Sequence, residues 1–97
     1  MNKGAERIKL FNSIPELTEH KDTSGRVSYR YKGIRVVYEI RPNTGNGYIR
    51  GKDIEGKNRH YIYFRDPNKG ISIADMSEGE IRALIRKVMD AIDDKEN

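Results

Sequence analysis

Apolar and polar residues alternate between positions 26 and 40, and this period of two predicts a β-hairpin. The segments RVSYRY (26–31) and IRVVYEI (34–40) are separated by Lys32-Gly33, a connection of two residues. On the face expected to join the core, the pairs are Tyr31–Ile34, Tyr29–Val36 and Val27–Tyr38. On the opposite face, the pairs are Arg30–Arg35, Ser28–Val37 and Arg26–Glu39. The hairpin is therefore expected to have one aromatic and β-branched face and one mainly basic face.

A second hairpin is predicted from residues 48–54 and 59–66, joined by a turn at 55–58, with its register left open. The second of these strands alternates His60, Ile62 and Phe64, which we assign to the core, with Arg59, Tyr61, Tyr63 and Arg65, which we assign to the open face. Ile71 and Ile73 are expected to add a short strand. The sheet is therefore predicted to span 26–73.

An amphipathic helix is predicted over 77–93. Ser77 and Glu80 have the S-x-x-E spacing of a capping box. Apolar residues then recur at helical spacing: Ile81, Leu84, Ile85, Val88, Met89 and Ile92. The stripe favours packing against the sheet, and a dimer seam through the C-terminal helix is the competing interpretation. Residues 94–97 are expected to be a frayed tail, with Asp93 and Asp94 solvated.

These elements predict one α+β domain over 1–97. Its parts are a short N-terminal helix and loop (1–25), an antiparallel four-stranded meander sheet (26–73), and the C-terminal helix packed on one face of that sheet. Residues 4–12 carry the helical pattern of the first part, and 20–25 are interpreted as a loop. The other face of the sheet is expected to be open and basic.

Composition and charge change this picture in one respect. The chain has 97 residues and a net charge of +4, but residues 26–69 hold eleven basic and four acidic side chains and all six tyrosines. Residues 70–97 carry a net charge of −3. The basic and aromatic residues therefore share the predicted sheet, which is typical of a surface that binds nucleic acid.

Absent residue types narrow the function classes. Cysteine is absent, which excludes disulfides, cysteine-ligated metals and a thiol nucleophile, and which fits a reducing, cytoplasmic location. No apolar run is long enough for a membrane span or a signal-peptide core. No phosphate-binding loop or hydrolase motif occurs, and His20 and His60 are far apart. We therefore expect no cofactor, no metal and no catalytic residue.

The open face is instead predicted to bind single-stranded DNA or RNA without catalysis. Tyrosine rings can stack on unpaired bases while neighbouring cations neutralise phosphates. The residues expected to contact phosphate are Arg30, Arg35, Arg50, Lys52, Arg59 and Arg65, and those expected to stack are Tyr48, Tyr61 and Tyr63. The alternative is that these tyrosines cover an apolar edge or form a protein–protein patch.

Two segments resemble known families. Lys69-Gly-Ile-Ser-Ile73, followed by Met76-Ser-Glu-Gly-Glu-Ile81 and the helix, resembles the end of the positive-cofactor-four-like single-stranded DNA-binding proteins. The stretch RGKDIEGKNRHYIYFR (50–65) is similar to that family's strand, turn and strand. The resemblance implies a curved four-stranded sheet, a dimer formed through the C-terminal helix, and no enzyme activity.

The first hairpin, Gly25 to Ile40, is similar to the central hairpin of the RelE-type messenger-RNA interferases. That resemblance implies an endoribonuclease toxin, in which Arg30, Arg35, His60 and Tyr61 would take the family's roles. A third hypothesis is a small phage or mobile-element inhibitor that binds a host protein or nucleoprotein, because such a protein needs only a small, charged chain without catalytic motifs.

Overall fold

The computed structural model describes residues 2–54, 65–66 and 70–96, and the fold of these residues is α+β. Its elements in chain order are helix α1 (Lys3–Asn12), strands β1 (Leu17–Lys21), β2 (Val27–Tyr31), β3 (Ile34–Ile40) and β4 (Tyr48–Ile49), a 3₁₀ turn (Lys52–Ile54), strands β5 (Arg65–Asp66) and β6 (Gly70–Ser72), and helix α2 (Glu78–Glu96). The predicted class, with a short N-terminal helix, an antiparallel sheet and a C-terminal helix, is confirmed.

The sheet has six antiparallel strands in the order β1-β2-β3-β4-β6-β5. The chain runs as a meander through β4, and β6 then lies between β4 and β5. The prediction of four strands missed β1, which was interpreted as a turn and loop. The reason is that β1 is an edge strand in which every residue after Leu17 is exposed, so it lacks the apolar alternation on which the prediction relied.

The predicted pairing of 48–54 with 59–66 is wrong at β4. Tyr48 and Ile49 pair with β3 on one side and with β6 on the other, which leaves no edge for a further strand. Ile49 lies opposite Ile71, and both side chains are buried, so β6 takes the position beside β4. The strand then stops because residues 52–54 form the 3₁₀ turn. The predicted turn at 55–58 and residues 59–64 lie outside the described residues.

The first hairpin confirms its predicted turn and then departs from the predicted register. Tyr31 pairs with Ile34, and the connecting Lys32 and Gly33 have φ of 50° and 80°, as a two-residue hairpin turn with two left-handed residues requires. Beyond this turn β3 contains two register shifts. Tyr29 therefore lies opposite Val37 rather than Val36.

The second shift moves the partner of Val27 from Tyr38 to Ile40. The predicted faces are corrected accordingly: Val37, expected on the basic face, is buried, and Tyr38, expected in the core, is half-buried outside it. The physical reason is that Val36 and Val37 are both 0% exposed, and consecutive residues reach one core only across a β-bulge.

Both helices contribute to a single core on one face of the sheet. The six apolar positions of the α2 stripe are at most 3% exposed and belong to the same buried cluster as the inner residues of β2 and β3. From α1, Phe11 places its ring 5.2 Å from that of Tyr29. The stripe is therefore buried in the chain's own core, and a homodimer through the C-terminal helix would have to use other side chains.

Polar contacts stabilise both ends of α2. Ser77 and Glu80 form the predicted reciprocal capping box, with both hydrogen bonds 3.2 Å long. The predicted tail is wrong, because α2 continues to Glu96. Asp93 accepts hydrogen bonds from the Tyr31 hydroxyl and from Lys32, each 2.8 Å at the closest oxygen, and this fixes the last turns of α2 to the hairpin.

Helix α1 packs closely against the backbone of Pro42 at Gly4. A Cβ at Gly4 would lie 1.8 Å from the carbonyl oxygen of Pro42, a backbone atom, whereas a Cβ at Gly79 in the first turn of α2 would meet nothing within 4 Å. We expect Gly4→Ala to lower the free energy of unfolding by about 1–3 kcal/mol. The matched variant Gly79→Ala should raise it by up to about 1 kcal/mol. Urea titration measures both, and equal stability of the two variants would contradict this packing.

Candidate nucleic-acid interface

The sheet face opposite the helices carries arginine and tyrosine side chains. Arg30 and Arg35 lie opposite each other on β2 and β3, and Tyr38 and Tyr48 lie opposite each other on β3 and β4. Side chains of directly opposed residues in antiparallel strands share a face. We call the surface formed by these four residues the outer face. Its arginines are exposed and its tyrosines are half-buried.

Arg35 and Tyr38 are in contact within the outer face. The guanidinium carbon of Arg35 lies 4.9 Å from the centroid of the Tyr38 ring, a cation–π geometry. The Arg35 guanidinium also lies 4.0 Å from a carboxylate oxygen of Glu39. Because like charges on opposed strand positions repel, the pairing of Arg30 with Arg35 is unfavourable, and Glu39 offsets this repulsion only at Arg35.

Arg50, predicted to contact phosphate, takes part in an ion pair within the chain. Its Nε donates a hydrogen bond of 2.5 Å to Asp53 Oδ2, and this contact, with a smaller contribution from the Tyr38 hydroxyl, raises the pKa of the Arg50 guanidinium. Lys95 of α2 donates to the other oxygen of Asp53 at 2.8 Å. Arg50 therefore belongs to a bridge between the sheet, the 3₁₀ turn and α2.

Asp53 is the acceptor at the centre of this bridge, and its side chain is 3% exposed. Burial alone would raise the pKa of the Asp53 carboxyl, but the hydrogen bonds from Arg50 and Lys95 outweigh it and hold the pKa below its ordinary value. Asp53 was not predicted as a functional residue, because residues 48–54 were interpreted as a strand and its partner Lys95 lies 42 positions away in the chain.

The remaining predicted site residues are distributed as follows. Lys52 is exposed on the 3₁₀ turn, beyond the end of β4 rather than on the sheet. Arg65 lies on β5 opposite Ile71, but its side chain is not among the described parts of the structure. Outside the described residues lie Arg59, His60, Tyr61 and Tyr63. The described strands therefore place Arg30, Arg35 and Tyr48 on the outer face, and Arg50 adjoins that face through its contact with Tyr38.

A pocket of about 240 Å³ lies at the end of the sheet away from the hairpin turn. It is lined by Arg26, Glu39, Arg41, Asn46, Gly47 and Tyr48, so Tyr48 joins it to the outer face. Arg26 and Glu39 were assigned to the basic face and Arg41 was counted in the basic segment, but none of the three was predicted as a site residue. The signal available was the position of Arg26 and Arg41 at the two open ends of the hairpin.

Within the described residues, no group of three or more histidine or carboxylate side chains could hold a metal ion. Neither of the helices in these ranges is long and apolar enough to cross a membrane. In the comparisons with known proteins, no family model, no curated protein and no solved structure matches the chain. Function must therefore be argued from the surface itself.

The bridge at Asp53 predicts a pH-dependent contribution to stability. At pH 7 we expect Asp53→Asn to lower the free energy of unfolding by about 1–3 kcal/mol, because both cations lose their charged acceptor. Since the pKa of Asp53 is lowered on folding, the contribution is complete above the ordinary value of 3.8 and is lost as the pH falls through the lower native value.

Urea titrations at several pH values between 2 and 7 measure this effect. The stability difference between the wild-type protein and Asp53→Asn should shrink as the pH falls below about 4. Asp94→Asn, which removes an exposed carboxylate near the same end of α2, is the matched control and should change stability little. A constant difference across the series would contradict the assignment.

Proposed function

We propose that the protein is a non-enzymatic domain that binds single-stranded nucleic acid on the outer face. The observation that carries this proposal is the position of the helices: α1 and α2 pack into one core, while arginine and tyrosine side chains occupy the opposite face. A cysteine-free chain with this activity would work in the cytoplasm.

The arrangement of the cations suits an extended phosphate backbone. Arg26, the residue before β2, and Arg30 within it are four residues apart, which corresponds to about 13 Å at the usual rise of a strand. Arg35 and Arg41 follow the neighbouring strand over a similar length. Cations spread over this distance match several successive phosphates better than one small anion. Each phosphate contact adds to the salt dependence of binding, because it releases counterions.

The tyrosines supply a surface for bases. Tyr38 and Tyr48 are directly opposed on neighbouring strands, so their side chains start about 5 Å apart on the same face. Stacking of an unpaired base on an aromatic ring contributes about 1–3 kcal/mol. A duplex keeps its bases stacked inside, so this contribution is available only to a single strand or a loop.

The contribution of the outer face is tested with the double variant Arg30→Ala/Arg35→Ala. Fluorescence anisotropy with labelled 12-nucleotide single strands, over a salt series, measures affinity and salt slope. We expect at least about a tenfold loss of affinity, because charge-assisted contacts are removed. The slope of log K against log salt should become shallower by about 1.4, at about 0.7 for each phosphate contact.

The matched control is Lys9→Ala/Lys87→Ala, which removes the same charge from exposed positions on the two helices. It should keep most of the affinity. No binding of the wild-type protein at about 50 mM salt would overturn the proposal. Cleavage of labelled RNA that is lost in His60→Ala would replace it with the ribonuclease hypothesis, and a stoichiometric protein partner without nucleic acid would replace it with the inhibitor hypothesis.

A further inference from the structure

The pocket beside Tyr48 combines cations with a carboxylate. Arg26 and Arg41 line it together with Glu39, so the charge of its lining at neutral pH is net positive. Its volume of about 240 Å³ lies below the range of about 300–1,000 Å³ that is usual for drug-sized ligands. This size and charge suit one nucleotide unit rather than a larger molecule.

Glu39 is held in this pocket by its backbone. Its φ of +53° lies in the left-handed region, which non-glycine residues rarely occupy. The Glu39 amide donates a 3.0 Å hydrogen bond to the hydroxyl of Ser28, which is itself buried on the neighbouring strand. This contact stabilises β3 at Glu39, where its pairing with β2 shifts register. The Glu39 carboxylate, which is about half-exposed and lies 4.0 Å from the Arg35 guanidinium, therefore extends from a defined backbone position in the pocket lining.

Hydrogen bonds within the loop from β3 to β4 position the lining residues Arg41 and Asn46. The Arg41 amide donates to the Asn46 carbonyl at 2.9 Å, and the Gly45 amide donates to the Arg41 carbonyl at 2.9 Å. The Asn46 amide donates to the Thr44 hydroxyl at 3.2 Å. Arg41 and Asn46 are therefore held beside each other by the backbone of one closed loop, and both line the pocket together with Glu39.

These groups correspond to the parts of a nucleotide. Guanidinium groups bind phosphate, and an aromatic ring such as that of Tyr48 stacks on a base. A carboxylate accepts hydrogen bonds and donates none, so it favours a base edge with an amino group, as when glutamate accepts from cytosine N4. Thymine and uracil present a carbonyl oxygen at that position, which a carboxylate repels.

We propose that this pocket receives one nucleotide of the bound strand and selects bases that carry an exocyclic amino group, cytosine over thymine, through the Glu39 carboxylate. Arg26 and Arg41 hold the adjoining phosphates, and Tyr48 stacks on the base. The inference rests on the proposed function, because the strand must first lie on the outer face.

The test compares anisotropy titrations of the whole chain with labelled dC12 and dT12 at one salt concentration. The wild-type protein should bind dC12 about five- to tenfold more tightly than dT12. Glu39→Gln should lose this preference, because an amide both accepts and donates hydrogen bonds. Glu19→Gln makes the same charge change at an exposed residue of the edge strand, and it should keep the preference.

Glu39→Gly is a second variant that removes the carboxylate and should keep the fold, since glycine adopts a positive φ without strain. It should fold at least as stably as the wild-type protein and should also lose the preference. Equal binding of dC12 and dT12 by the wild-type protein, or a preference that survives in both Glu39 variants, overturns this inference and leaves the proposed function standing. No binding of either strand overturns the proposed function itself.

Discussion

The burial of two consecutive valines in β3 determines which side chains reach the outer face. Val36 and Val37 are both excluded from solvent, although neighbouring residues in a regular strand point to opposite faces. β3 accommodates both by a bulge opposite Tyr29, and the phase of the strand changes beyond it. Tyr38 therefore moves out of the core and comes to lie beside Tyr48. The aromatic centre of the outer face is a consequence of how the core is packed.

A limited supply of apolar residues is consistent with a single core between the two helices and one face of the described sheet. Hydrophobic residues make up 35% of the chain, which is low for a globular domain, and the described ones are concentrated in a single cluster between the helices and the sheet. Polar contacts then hold the edges of this core. Asp93 fixes α2 to the hairpin, and Asp53 fixes it to the 3₁₀ turn. Within the described ranges, the opposite face carries arginine and tyrosine side chains.

The sequence predicted the elements whose signal is local. The α2 stripe, its capping box and the hairpin turn at Lys32-Gly33 follow from spacing alone, because each depends on residues within a few positions of one another. The edge strand β1 was missed because an exposed strand needs no apolar alternation. The pairing of β6 with β4 was not predicted, because two short strands could pair with β4 and the choice between them depends on tertiary packing.

The site was predictable to a similar degree. Alternation and charge placed Arg30, Arg35 and Tyr48 on one face, and the register of the described strands agrees with that placement. Arg50 stays a predicted phosphate contact, and the structure adds that it donates a hydrogen bond to Asp53. That contact joins a strand, a turn and the far end of α2, so no short-range pattern could reveal it. The pocket at Glu39 depends on a positive φ, which a glutamate in a strand gives no reason to expect.

The most direct measurement of the central claim is an NMR titration of the ¹⁵N-labelled protein with a single-stranded oligonucleotide, followed through its backbone amide shifts. The outer-face account predicts that the largest changes lie on β2, β3 and β4, at Arg30, Arg35, Tyr38 and Tyr48, while the amides on the exposed side of α2 change little. Changes confined to α2, or none at a saturating concentration of oligonucleotide, would contradict it.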